Sequence, residues 1–151
     1  MNGKVFVDTN ILVYSRDASE PEKQHQAMTW MSHLWESRSG RLSFQVLQEY
    51  YSTVTSKLQP GMEPQDARDD VLALFAWRPI LVDADVIKGA WIIHDRFELS
   101  WWDALIVSAA QIGDCSILLT EDLQENQVIG KVRIVNPFIH PPESLPLASM
   151  S

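Results

Sequence analysis

Four short apolar runs, set apart by stretches of helical periodicity, limit what this chain can fold into more than any other feature. They are the "KVFV" of residues 4–7, the "RPILVD" of 78–83, the "SILLT" of 116–120 and the "KVRIVN" of 131–136. Apolar runs this short, bounded by charged or turn-forming residues, read as strands buried on both faces. Between the first two lie a short "NILVYSRD" stretch of one or two helical turns, a helix over 21–37 opened by Pro21, and a helix over 44–58. Leu42 gives only a brief apolar touch. Further helices are expected over 64–76, over 84–97 behind an Asp83 cap, and over 100–112. The last of these, "SWWDALIVSAAQI", is apolar nearly all the way round and is expected to be central. Strands alternating with helices predict an α/β fold with a mainly parallel sheet and helices on both faces.

A chain of 151 residues is the size of one domain. That domain is expected over 1–138, with 139–151, containing Pro141, Pro142 and Pro146, as a flexible C-terminal tail. No apolar run reaches the roughly 20 residues of a membrane span, and the N-terminus lacks the pattern of a signal peptide. No membrane association and a cytoplasmic location are therefore the expectations. Cys115 is the only cysteine, which excludes an internal disulfide and a cysteine-rich zinc site. It reads as a small buried apolar residue.

The informative residues are acids. Asp8 ends the first strand directly, and Asp122 follows the "SILLT" strand. Ligands in open parallel sheets bind beyond the carboxyl ends of strands, so these two meet if their strands are parallel neighbours. Asp103 sits in the first turn of the apolar helix, and Glu49 lies beyond the edge of the apolar stripe of its own helix. Each has an ordinary explanation. Asp8 suits a helix cap, Asp103 completes a Ser100-x-x-Asp capping box, Glu49 suits a solvated helix edge, and Asp122 suits a turn. Together they are harder to dismiss. Buried carboxylates without a partner cost several kcal/mol each, and no Lys or Arg is placed to neutralise the set. An all-oxygen set with no nearby His or Cys favours Mg²⁺ or Mn²⁺ over zinc.

The blocks "VFVDTNILVY", "LSFQVLQEYY", "LSWWDALIVSAA" and "ILLTEDLQ" followed by "VRIVNPF" resemble, in order and spacing, the PIN-domain nucleases, most closely the VapC-type toxins of toxin–antitoxin modules. The resemblance covers about residues 5–138. It implies a three-layer α/β/α domain with four or five strands, and an acidic site that holds Mg²⁺ or Mn²⁺ and hydrolyses RNA to leave a 5′-phosphate. By motif, Asp8, Glu49 and Asp103 match the family's three main acids, and Asp122 its variable fourth, with Glu121 beside it as the other choice. Thr9 and Asn10 match supporting residues. Phe44 stands where relatives carry a small polar residue, which is expected to alter the wall of the cleft. A cognate antitoxin and a homodimer are implied in the same way.

The net charge of −8, from 12 basic and 20 acidic residues, argues against loose electrostatic adhesion to nucleic acid but not against an RNA substrate. It also suits a basic partner segment such as an antitoxin would supply. Arg16, Lys23, Arg38, Arg41 and Lys57 flank the site segments and are candidates for phosphate contacts, with a solvated face as the ordinary reading of each. The six tryptophans read as core or subunit interface rather than base-stacking residues. His25, His33, His94 and His140 have no ligand spacing. A haloacid-dehalogenase-like phosphatase would need Asp at position 10, where Asn10 stands, and a receiver domain needs paired early acids. The remaining alternative is a non-catalytic PIN-like module that grips RNA or an antitoxin.

Overall fold

A computed structural model of the chain describes residues 3–145. Its core is a five-stranded sheet: β1 (Val5–Val7), β2 (Gly40–Arg41), β3 (Ile117–Leu119), β4 (Val128–Ile129) and β5 (Val132–Val135), in the order β2-β1-β3-β5-β4. All neighbours are parallel except β4, which runs antiparallel to β5. Every residue of β1 and β3 is buried, so both faces of the sheet are covered. The helices are α1 (Thr9–Tyr14), α2 (Pro21–Ser37), α3 (Phe44–Ser56), α4 (Pro64–Leu74), α5 (Ala84–Phe97) and α6 (Trp101–Ile112). Side chains cap four of them at the N-terminus: Asp8 on α1, Ser43 on α3, Asp83 on α5 and Ser100 on α6. Helix α6 buries seven consecutive residues, Ala104 to Ala110, as its apolar circumference requires.

The strand expected over 78–83 does not form. Only Ile80 bridges to Ser43, while Leu81 and Val82 are exposed. Pro79 has no N–H for a ladder, and a single pair of bonds survives, from Ile80 N–H to the Leu42 carbonyl and from Phe44 N–H to the Ile80 carbonyl. The edge position belongs instead to β2, just before Leu42. Strand β4 was not expected either. It is joined to β5 through Gly130 and Lys131, with Gly130 in the left-handed region at φ 62°. Helix α3 stops at Ser56 rather than at 58, and α4 yields after Leu74 to a 3₁₀ turn, Phe75–Trp77.

Beyond residue 138, the His140 carbonyl accepts a 2.8 Å hydrogen bond from the buried Trp30 indole, and Pro142 is buried. The rest of the expected tail, 146–151, lies outside the described residues. Among the described residues no helix is long and apolar enough to cross a membrane.

Candidate functional site

The order in which strands are added reverses between the parallel neighbours β1 and β3. From β1 the chain moves outward to β2, and from β3 it moves the other way to β5, so the carboxyl ends of β1 and β3 flank the switch point of the sheet. Crevices at such points are where parallel sheets bind ligands. The register Val7↔Leu119 sets Asp8 beside Thr120 there.

Asp8 is buried, at 6% exposure, and both of its oxygens are occupied. Oδ1 accepts from the Thr9 N–H at 2.7 Å and so caps α1, while Oδ2 accepts from the Thr120 hydroxyl at 2.9 Å. Thr120 in turn accepts from the Asp122 N–H at 3.1 Å and from the Asn10 amide at 3.3 Å. The same Asn10 amide donates to Asp122 Oδ2 at 2.8 Å, and the Thr9 hydroxyl donates to Glu49 Oε1 at 2.8 Å. Adjacent residues of α1 thus restrain two acids from distant parts of the chain, Glu49 on α3 and Asp122 after β3. Asp103 lies in the first turn of α6, and its backbone N–H donates to the capping Ser100 Oγ at 3.1 Å.

All four acids line one open cleft of about 790 Å³, together with Asp17 and Glu121, and among the described residues the only basic one on its walls is Lys57. That imbalance leaves its mark on protonation. Burial pushes the Asp8 carboxyl up to about 7, against the hydrogen bonds from Thr120 and Thr9, and the charges of Asp122 and Asp103 push the same way as burial. Asp103 is also raised, first by burial and, against the Ser100 hydrogen bond, by the charges of Asp122 and Glu49. The carboxylates are therefore close enough to repel one another.

An oxygen-only donor set with surplus negative charge fits a hard divalent cation. So does the buried Asn10 Oδ1, which has no hydrogen-bond partner although its amide nitrogen is engaged. The side chains as they stand do not close a shell, however. Among the described residues no three acidic, histidine or cysteine side chains are set around one point. Glu49 and Asp122 are drawn onto α1 by Thr9 and Asn10, and a cation would have to win them from those partners.

Glu121 and Asp122, the two adjacent candidates for the fourth acid, have different partners. Glu121 is bound to Lys23 Nζ at 2.9 Å, with that ammonium over the rings of Tyr14 and Phe138. Asp122 has only the neutral Asn10 amide. Phe44 does not alter the cleft wall; it lies with Leu47, Tyr51 and Phe75 in a separate apolar groove between α3 and α4. Thr120 and Gln45 escape a reading by sequence. Thr120 looked like the end of a strand, and only the β1–β3 register reveals it as the centre of the hydrogen-bond network. Gln45, one turn before Glu49, donates weakly to Glu49 Oε2 at 3.5 Å.

Fold and site together define a class: an α/β domain with an acid-lined cleft at the switch point of a parallel sheet. The sequence profile of the PIN domain matches residues 5–128, and the chain belongs to the PIN-domain family. Comparison with curated proteins gives no match. Among solved structures the chain is similar to one from a toxin–antitoxin complex of Klebsiella pneumoniae, with a TM-score of 0.62 and 18% identity, covering 89% of this chain and 98% of that one. It is also similar to VapC20 of Mycobacterium tuberculosis, a toxin that cleaves the sarcin–ricin loop (TM-score 0.57, 20% identity, 76% and 87% covered). A third is a chain of VapBC2 from Rickettsia felis bound to a promoter DNA fragment (TM-score 0.55, 19% identity, 86% and 96% covered). At such identities these likenesses describe the fold.

Proposed function

We propose that this protein is a divalent-metal-dependent endoribonuclease and the toxin of a toxin–antitoxin module. The observation that carries the reading is the gathering of Asp8, Glu49, Asp103 and Asp122 in one cleft of a PIN domain, with Lys57 as the only base on its walls among the described residues. The likeness to toxin–antitoxin chains supports the toxin role and a cognate antitoxin that covers the cleft. A cytoplasmic site of action and a homodimer follow from the same reading.

Asp8 and Asp103 are the residues that would hold Mg²⁺ or Mn²⁺ most directly, because both line the cleft and their carboxyls are raised by burial and by neighbouring carboxylates, a cost that a cation relieves. Bound there, the ion supplies charge relief on the phosphodiester and a more acidic water. Glu49 and Asp122 complete the set when they turn away from Thr9 and Asn10. The Thr9 N–H and the Thr120 hydroxyl hold the Asp8 carboxylate in one orientation, the pre-organisation that a ligand to a cation would need. Trp102, exposed on the cleft wall beside Asp103, offers a face on which a base can stack.

The test is cleavage of single-stranded or loop RNA in Mg²⁺ by wild type, Asp8→Asn and Asp103→Asn. Wild-type activity lost in both variants is the expected result, and equal rates in all three would end the proposal. A non-catalytic RNA- or antitoxin-binding module would show no acid-dependent Mn²⁺ site by calorimetry, whereas the nuclease shows one that disappears in Asp8→Asn.

A further inference from the structure

The acidic cleft has little with which to hold a polyanion, and a cluster of three arginines and two tryptophans lies elsewhere. Trp35, Arg38, Arg41, Ala76, Trp77 and Arg78 line a second cavity of about 440 Å³ that shares no residue with the cleft. It sits at the start of the edge strand β2, between the C-terminus of α2 and the 3₁₀ turn that follows α4. Three of the chain's 12 basic residues meet here, and none of the three is in an ion pair among the described residues.

The cavity is built rather than incidental. The Trp77 ring is buried against Gly40, where an added Cβ would lie 2.5 Å from the ring carbons, so only glycine admits it. Trp35 leans on Trp77 with centroids 5.1 Å apart and keeps 41% of its surface exposed. Arg38 and Arg78 both take left-handed backbone, at φ 57° and 54°, where glycine or asparagine is the unstrained choice. The dipole of α2 accounts for a base at Arg38, its C-cap, but not for Arg78 or Arg41. Arg41 spends one Nη1 on the Arg38 and Gly40 carbonyls, which fixes its guanidinium at the cavity wall.

Guanidiniums around an exposed indole match a phosphate with a base beside it. We propose that this cavity is a second RNA-binding site, in which Arg38 and Arg78 take phosphates of a single strand and Trp35 stacks on one of its bases. Its assignment to the RNA substrate rests on the nuclease reading. It supplies the positive charge that the cleft, with six acids and one lysine, does not.

The experiment is binding of a fluorescently labelled single-stranded RNA dodecamer to the full chain in EDTA, across a series of salt concentrations. The test variant is Arg38→Gly/Arg78→Gly, which removes two charges while relaxing two left-handed residues, and is expected to keep or raise Tm. Its affinity should fall at least tenfold and its log K against log salt slope by about 1.4. Trp35→Leu should weaken binding about tenfold and reduce the quench of tryptophan fluorescence. Unchanged affinity and slope in the double variant overturn the proposal. A mononucleotide that binds as tightly as the dodecamer overturns the strand assignment in favour of a free nucleotide, and polyglutamate competing as well as RNA overturns it in favour of an acidic protein segment. Cleavage in Mg²⁺ is scored separately. Arginine-dependent binding without cleavage keeps the second site and ends the nuclease reading, and cleavage with arginine-independent binding does the reverse.

Discussion

Replacing Asp8 by Asn should stabilise the metal-free protein at pH 8 and lose most of that advantage by pH 5. In the unfolded chain Asp8 titrates near 3.8, and in the fold burial pushes it up to about 7. A raised carboxyl means that the folded state holds the proton more tightly. The stability that this proton contributes is complete below about 3.8 and is lost as pH rises through about 7. The full swing is on the order of 4 kcal/mol for a side chain only 6% exposed. Asn keeps the acceptor for the Thr9 N–H. It also turns an amide donor toward Thr120 Oγ, which already accepts from Asn10 and Asp122, so the variant carries an unsatisfied donor costing about 1–3 kcal/mol. At pH 8 the relief of buried charge outweighs that cost by about 1–3 kcal/mol, several degrees in Tm for a domain this size. At pH 5 the folded carboxyl is neutral but the unfolded one is still ionised, so relief of about 1.6 kcal/mol remains against the cost and the advantage of Asn is largely gone. Thermal unfolding in EDTA from pH 5 to 8 measures both ends, and a constant difference between the two proteins across that range would refute the reasoning. Mn²⁺ should raise the Tm of wild type at pH 7.5 but not that of Asp8→Asn, since a cation bound there displaces the proton.

Asp103→Asn should lower RNA cleavage at least a hundredfold while leaving Tm within a few degrees, because Asp103 is only half-buried and the Ser100 cap uses its backbone N–H; rate and Tm measured on one preparation check this. Leu118→Ala in the middle of β3 should cost about 2–5 kcal/mol by urea unfolding, since Leu118 is fully buried. Burial pushes the Cys115 thiol up to about 12, so it should resist a disulfide reagent at pH 8 in the native protein and react fully in urea.

The parts of the fold that were legible are those whose signal is local. The helix over 21–37 begins at a proline and carries its apolar residues on one face, and α5 begins behind Asp83; both were found within a residue of their ends. Strands of two residues have no such signal. Gly40 and Arg41 are a strand only because β1 lies beside them, and Val128 and Ile129 only because Gly130 turns them onto β5. The run over 78–83 misled for the opposite reason: it has the composition of a strand but, with Pro79, lacks a donor where a ladder needs one. In the site, Asp8, Asp103 and Asp122 were legible from their places at element ends, and Glu49, in the middle of α3, from its place beside the apolar stripe of its helix. Thr120 was not, because its importance comes from a neighbour 112 residues away in sequence.

Asp8 shows why capping and chemistry need not be rival explanations. One oxygen closes the N-terminus of α1 and the other is fixed by Thr120, so the helix that Asp8 starts also carries the residues, Thr9 and Asn10, that restrain Glu49 and Asp122. Four carboxylates crowded without a cation would repel one another, and α1 disperses two of them onto neutral donors. The same bonds oppose cation binding. Thr9→Val and Asn10→Ala should therefore act in two directions: each lowers the stability of the metal-free protein by about 1–3 kcal/mol by leaving a carboxylate without its donor. Each also frees a ligand, so the rise in Tm produced by a fixed Mn²⁺ concentration should be larger than in wild type. A smaller rise in both variants would mean that Thr9 and Asn10 orient the acids for the cation rather than compete with it.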